Sequence, residues 1–253
     1  MAVTLITGAS SGFGAALAPL FAADGDVVVL TARRLENLEE VAEKIKKSGG
    51  VAVPIALDVD DAQAVKAAVA AVARAHGPVD TLIANAGISG ATPAVGWTTA
   101  QLDRILRTNL YGVSHCIEAV LPSMLERKAG HLVAVSSLAG YRGLPGSGAY
   151  SASKGAVTNL MESLRIELRP HGVACTTICP GFVRTPMTDK NTYAMPFMME
   201  LEPAARLMHR AIRQRRRHYA FPWQLAMFAR LGRILPARLY DWTLRNRRVT
   251  KTD

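Results

Sequence analysis

Seven short apolar runs punctuate the chain, at 3–8 (VTLITG), 27–33 (VVVLTAR), 51–59 (VAVPIALDV), 79–87 (VDTLIANAG), 131–137 (HLVAVSS), 173–181 (VACTTICPG) and 218–222 (HYAFP). Rich in Val, Ile and Leu at consecutive positions, they predict strands buried on both faces, since half-exposed strands would alternate. Longer amphipathic stretches between them, at 35–47, 61–75, 99–127, 150–169 and 203–217, predict helices. The alternation implies an α/β fold: a doubly wound, seven-stranded parallel sheet with helices on both faces. No linker, low-complexity tract or compositional break precedes about residue 204, so 1–253 reads as a single domain. Ligands of such sheets bind beyond the carboxyl ends of the strands, where strand order reverses. Candidate chemistry is therefore expected just after the strands.

The first run leads into TGASSGFG, residues 7–14, with glycines at Gly8, Gly12 and Gly14. A phosphate-binding turn needs glycine because backbone must approach a pyrophosphate and present the free N–H groups of the following helix. Ser10 and Ser11 add hydroxyl donors, and Phe13 lies between the last two glycines. Strand-to-helix turns are often glycine-rich, so the motif alone is weak; its place after the first strand of an alternating chain points to a dinucleotide. A fold that prefers NAD usually ends its second strand in Asp or Glu, which accepts hydrogen bonds from the ribose hydroxyls. Here the chain reads TARR, closing on Arg33 and Arg34, with no carboxylate before Glu36. Two guanidiniums suit a 2′-phosphate and imply NADP(H). The plainer alternative is that both arginines only open a solvated helix.

Residues 150–154 read YSASK, behind a segment, 143–148, too glycine-rich for regular structure. Tyr150 and Lys154 are i and i+4, so a helix points both to one face. An ordinary tyrosine, with a pKa near 10, is a poor proton donor at neutral pH. A cation about 4 Å away is worth ~4 kcal/mol at an effective dielectric of about 20, enough to bring that proton into useful range. On an arbitrary helix such a pair is surface decoration; here it accompanies a phosphate turn.

TGASSGFG, Asp58 after the third strand, ANAG at 84–87, Asn109, Ser137, YSASK and PGFVRT at 180–185 together resemble the single-domain, short branch of the short-chain dehydrogenases/reductases. The resemblance runs in order from residue 3 to about 185. Phe13 stands where an aliphatic residue is commoner, and Ala84 replaces a frequent Asn; neither touches the chemistry. The resemblance implies a Rossmann-type fold and an NADP(H)-dependent oxidoreductase interconverting a carbonyl and an alcohol. It makes Tyr150 the proton donor or acceptor for the substrate oxygen and Ser137 a hydrogen-bond partner of that oxygen. Lys154 would also bind the nicotinamide ribose, and Asn109 would hold a water linking Lys154 to solvent. Ser136 competes with Ser137, but the thirteen-residue spacing to Tyr150 favours Ser137. The 143–148 segment would fold over the pocket as a loop and let the helix begin at Tyr150. Asp58 and Val59 would face the adenine, while Asn85, Ala86 and Gly87 line the cofactor groove. Pro180, Gly181, Val183 and Thr185 would border the nicotinamide, Thr185 bonding its carboxamide. Relatives commonly assemble through helices equivalent to 99–127 and 150–169, which implies a homodimer or homotetramer.

Charge changes the picture only at the end of the chain. Residues 1–203 hold 17 Lys plus Arg against 18 Asp plus Glu, and 204–253 hold 13 against 2, so the net +10 is the sum of −1 and +11. The basic run RQRRRH, 213–218, lacks any base-reading or stacking motif and reads as a charged helix end, so no nucleic-acid partner is expected. The extension at 222–253 is amphipathic: Met227, Leu231, Ile234 and Leu235 fall at helical spacing, Trp223 and Trp242 stand at the ends, and Arg230, Arg233, Arg238 and Arg245 intersperse. Pro236 should break it into two helices. The pattern suits a peripheral membrane contact or a subunit interface equally. The region 186–217 is a candidate substrate lid, and its methionines suit a lipophilic carbonyl or alcohol, or only pack the core. Three cysteines show no disulfide or zinc spacing, and no metal is expected. The start lacks a signal-like segment and no run of about 18 apolar residues occurs, so the expected location is cytoplasmic, with contact at a membrane surface left open. A cofactor-sensing regulator without turnover and a basic membrane-binding module are the rival functions; a pure sensor could lose Ser137, Tyr150, Lys154 and Asn109 freely.

Overall fold

The computed structural model describes residues 1–189, 191 and 194–245. Strands form at Val3–Thr7 (β1), Val27–Ala32 (β2), Val51–Ala56 (β3), Thr81–Ala84 (β4), Gly130–Val135 (β5), Val173–Pro180 (β6) and His218–Phe221 (β7). They pair in parallel in the order β3-β2-β1-β4-β5-β6-β7. This is the doubly wound Rossmann-like sheet the alternation implied. Strand order reverses between β1 and β4, so a crevice must open beyond their carboxyl ends.

Alternation along the strands feeds two hydrophobic layers. Val3, Leu5, Val27, Val29, Leu132 and Ala134 point to one face, where they meet the helices Ala62–His76 (α3), Gly112–Glu126 (α5) and Gly148–Leu168 (α6). Ile6, Val28, Leu30 and Val133 point to the other, against Gly12–Ala23 (α1), Leu35–Lys47 (α2) and Leu201–Arg213 (α7). Burial on both faces explains the unbroken apolar runs of the central strands. The edge strands depart from it: β3 begins and ends on exposed residues, and β7 starts on exposed His218. An edge strand has only one neighbour to shield it.

Local chemistry sets the helix boundaries. Asp61 caps α3, its carboxylate accepting from the N–H groups of Gln63 and Ala64 at 3.0 and 2.9 Å. The predicted helix 99–127 is three pieces: Thr99–Leu106 (α4), a wider π-helical turn at Arg107–Tyr111, and α5. The predicted 203–217 helix ends at Arg213, because Arg215 adopts a φ of 49° and Arg216 N–H returns to the Ala211 carbonyl. The basic run is thus a helix end, with Arg213 bonded to Asp24 and Asp26. Pro236 separates Trp223–Ile234 (α8) from Ala237–Leu244 (α9). The last part of the predicted extension, 246–253, lies outside the described residues.

Asp26, at the start of β2, is buried and joins three elements. Its carboxylate accepts from Thr4 Oγ1 of β1 at 2.6 Å and from Arg213 Nη2 of α7 at 3.0 Å. Removing it would orphan a buried hydroxyl and leave the half-buried Arg213 guanidinium with Asp24 as its carboxylate partner. Asp26→Ala is expected to lower the unfolding free energy by ~2–3 kcal/mol, read as a reduced urea midpoint at unchanged slope.

Candidate active site

The crevice at the carboxyl ends of the strands is a cleft of about 460 Å³, within the range of small-molecule sites. Gly8, Ser10, Ser11, Gly12 and Phe13 after β1, Arg33 and Arg34 after β2, and Asp58 and Val59 after β3 line it. So do Asn85, Ala86 and Gly87 after β4, Ser137 after β5, Tyr150 and Lys154 of α6, and Pro180, Gly181, Val183 and Thr185 at the end of β6. Of the residues singled out in the sequence, Gly14 and Asn109 are not among its walls; both sit behind them.

The β1–α1 turn is shaped for close approach. Gly8 has a φ of +65°, and a Cβ there would lie 2.8 Å from the Ala86 Cα. A Cβ on Gly14 would lie 2.5 Å from the Gly8 carbonyl oxygen, so this glycine lets α1 press against the turn. Ser11 at the helix N-cap makes no side-chain cap, leaving first-turn N–H groups for an anion. The opposite wall is tied to the turn by Thr7, whose Oγ1 accepts from the Asn85 and Ala86 N–H groups, both at 3.0 Å. The Asn85 amide donates back to the Thr7 carbonyl at 2.8 Å. These features fit the diphosphate of a nicotinamide dinucleotide. Arg33 is exposed and lies 3.9 Å from Asp58, itself half-exposed. Such a loose surface pair contributes little and leaves the guanidinium available.

At the other end of the cleft, the two adjacent serines separate. Ser136 is buried; its Oγ donates to the Lys154 carbonyl at 2.8 Å and lies 2.8 Å from Thr158 Oγ1. It anchors α6 to β5. Ser137 is half-buried, and its Oγ accepts from Ala139 N–H at 3.1 Å. Lys154 is buried, its Nζ donating to the Val135 carbonyl at 2.8 Å and lying 5.9 Å from the centre of the Tyr150 ring. Burial pulls its pKa down to about 8.

Asn109 lies in the π-helical turn, fully buried. Its amide mimics a peptide group: Oδ1 accepts from Ile88 N–H at 2.8 Å, while Nδ2 donates to the Ile88 carbonyl and to Ser153 Oγ, both at 3.0 Å. The side chain therefore clamps the segment after β4 to α6.

Two expectations change in position. The glycine-rich 143–148 segment contributes no wall of the cleft; the Tyr240 hydroxyl of α9 donates to the Gly143 carbonyl at 2.7 Å, and the Thr92 N–H, after β4, to the Gly146 carbonyl at 2.8 Å. The helix begins at Gly148, before Tyr150. Of the candidate lid region 186–217, the part forming α7 is packed into the core through Ala204, Met208 and Ile212, while Pro186, Met187 and Thr188 line the cleft. Within it, Lys190, Thr192 and Tyr193 lie outside the described residues. The part before α7 is tied at both ends, by the Val183–Met199 bridge and by Arg184 Nε donating to Glu200 Oε1 at 3.1 Å.

Some walls were not singled out in the sequence. Ile88 and Thr108 adjoin ANAG and Asn109, and their adjacency was the available signal. Thr188 accepts from Thr185 N–H at 2.9 Å and donates to the Val183 carbonyl at 2.6 Å, bracing the turn that opens the candidate lid region. The T-x-x-T spacing was its signature.

Comparison with known proteins agrees with this geometry. A family model described as short chain dehydrogenase matches residues 2–195. The chain belongs to the short-chain dehydrogenase/reductase family of oxidoreductases, whose members use a nicotinamide cofactor. It is 43% identical over 244 residues to an uncharacterized oxidoreductase of Myxococcus xanthus, covering 96% of both chains. It is 40% identical over 190 residues to the 2-(R)-hydroxypropyl-CoM dehydrogenase of Xanthobacter autotrophicus, covering 74% of this chain and 76% of the relative. A solved short chain dehydrogenase/reductase from Burkholderia phymatum, in complex with NAD, superposes with a TM-score of 0.84 at 28% identity, covering 99% of this chain and 97% of its own.

The buried lysine has a measurable consequence. With a folded pKa of about 8 and an unfolded value near 10.4, the unfolded state holds more protons between these limits, so stability rises with pH there. Relative to Lys154→Met, the cofactor-free wild type should gain up to roughly 3 kcal/mol between pH 7 and 11, measured by denaturant unfolding across that range.

Proposed function

We propose that the protein is an NADP(H)-dependent oxidoreductase that interconverts a lipophilic ketone or aldehyde and its alcohol. The observation that carries the reading is the convergence of a serine hydroxyl, a tyrosine and a buried ammonium at one end of a cleft whose other end is a glycine turn. The first turn of α1 and the hydroxyls of Ser10 and Ser11 hold the diphosphate, and Asp58 and Val59 border the adenine. Arg33 and Arg34 receive a 2′-phosphate, which two guanidiniums bind in a planar fork. Asn85, Ala86, Gly87 and Lys154 line the ribose and nicotinamide end, with Pro180, Gly181, Val183 and Thr185 opposite. When bound, the nicotinamide supplies a hydride to a carbonyl carbon or accepts one from an alcohol carbon.

The chain's own part is proton transfer and positioning. Tyr150 gives its phenolic proton to the carbonyl oxygen during reduction and takes a proton from the hydroxyl during oxidation. Ser137 donates a hydrogen bond to the same oxygen and fixes its position. Lys154 presents positive charge beside the phenol, which favours loss of the phenolic proton. Asn109 acts as a positioning residue, holding Ile88 and Ser153 so that α6 keeps Tyr150 and Lys154 on the cleft. The lipophilic preference rests on Met187 and the apolar cover that follows it.

Tyr150→Phe should reduce kcat by roughly 10²–10⁴-fold while NADPH affinity stays near wild type by fluorescence titration. Turnover at wild-type rate would remove the proton-transfer role. Replacing both Arg33 and Arg34 with Ala should raise the Kd for NADPH at least ~10-fold, for a loss of ~1.4 kcal/mol or more, and leave that for NADH almost unchanged. Equal weakening of the two would refute the phosphate assignment.

A further inference from the structure

We propose that α8 and α9 form a docking surface for an anionic phospholipid bilayer. Trp223, Met227, Leu231 and Ile234 lie at i, i+4, i+8 and i+11 along α8, which places them on one face. All four are exposed, Trp223 at 69% and Ile234 at 78%. On α9, Arg238 and Trp242 are spaced i and i+4, with Trp242 61% exposed and Arg245 at the C-cap. A monomer seldom leaves a row of large apolar side chains uncovered without a partner.

The outward orientation is built into the structure. Arg142 donates to the Gly232 and Leu235 carbonyls at the end of α8, the latter at 2.7 Å, a favourable place for a cation. Its guanidinium also sits 3.9 Å from the centre of the Tyr240 ring. Ala226 and Leu225 face the body, Leu225 lying over Gly181 at the cleft. With its inner side pinned in this way, α8 cannot roll to hide the outer one.

Charge identifies the occupant. Between residues 221 and 245 the cations Arg230, Arg233, Arg238 and Arg245 oppose a single acid, Asp241. Among the described residues none of the four forms an ion pair, although Arg230 bonds toward Tyr141 of the body and Arg245 stacks on Trp242. A second copy of the chain would bring like charges together, whereas an anionic headgroup layer satisfies the cations as the apolar row enters the acyl boundary. The two exposed tryptophans suit the headgroup level. At 12 residues, α8 is about 18 Å long, too short to span, and no helix among the described residues is long and apolar enough to cross a membrane. The surface lies on a bilayer, next to the cleft: Phe197 of the candidate lid region stacks on Phe228 of α8 at 6.4 Å between ring centres.

The test is sedimentation of the full-length protein with vesicles of phosphatidylcholine alone or with roughly 30% phosphatidylserine, at low and high salt. Binding is expected only to the anionic vesicles and should weaken with salt. Leu231→Ser with Ile234→Ser, and separately Arg233→Glu with Arg238→Glu, should each reduce it at least ~10-fold with thermal midpoints unchanged. Arg215→Glu with Arg217→Glu, away from this face, should leave most of it. In a Trp97→Phe background, emission from Trp223 and Trp242 should shift to the blue on anionic vesicles. Binding indifferent to lipid charge, or abolished only by the Arg215 and Arg217 changes, would overturn the proposal. So would a dimer, seen by sedimentation velocity, that the Leu231 and Ile234 changes split without affecting vesicle binding.

Discussion

A buried threonine hydroxyl at the end of β1 sets the geometry of the whole site. Thr7 accepts two N–H groups from the start of the segment after β4, and the Asn85 amide returns a bond to the Thr7 carbonyl. β1 and β4 are neighbours in the sheet but distant in sequence, and the helices that follow them leave to opposite faces. Beyond the β1–β4 ladder, which ends at Ile6 and Ile83, these bonds and one from the Asn85 amide to the Gly8 carbonyl join two loops that lead into different layers. The crosslink fixes the width of the crevice, and the glycine turn then presents α1 to it. A hydroxyl suits the task because one oxygen can accept two N–H groups that a strand end leaves unpaired.

The Lys154 end of the cleft is held differently. Burying an ammonium is unfavourable, and the single carbonyl bond from Val135 compensates only in part, which is why the Lys154 pKa falls. The surroundings keep it there: Ser136 and Thr158 both donate to the Lys154 carbonyl, locking that turn of α6 against β5. Asn109 secures the same helix from the other side through Ser153. These neighbours restrict the conformational freedom that would let the lysine escape to water. The unfavourable burial of the ammonium is thus offset by ordinary hydrogen bonds around it.

Legibility followed the type of constraint. The glycine turn could be read because a close backbone approach excludes side chains whatever surrounds it, and Gly8 and Gly14 are crowded as that argument requires. Ser137 was preferred to Ser136 by spacing, and in the fold the two adjacent hydroxyls make different bonds, Ser136 to the Lys154 carbonyl of α6 and Ser137 to the Ala139 N–H. Asn109 could be named as a site residue, yet its clamp on Ile88 was invisible, since the partner lies 21 residues away and is a backbone group. The 143–148 segment was misplaced for a related reason. Its glycines predicted a loop, but the contacts that hold it, Tyr240 on the Gly143 carbonyl and the Thr92 N–H on the Gly146 carbonyl, come from segments far away in the chain.

From the order of residues alone came the parallel sheet, the turn after β1, the pairing of Tyr150 with Lys154 and the uneven charge of the last fifth of the chain. Each rests on local rules: periodicity, the steric allowance of glycine, helical spacing and Coulomb attraction. Only the tertiary structure decided that Lys154 is buried, that the helix carrying Asn109 widens into a π turn, and that the apolar side of α8 faces outward. Those outcomes depend on which surfaces compete for the same volume, and that competition is settled by contacts between segments far apart in the chain.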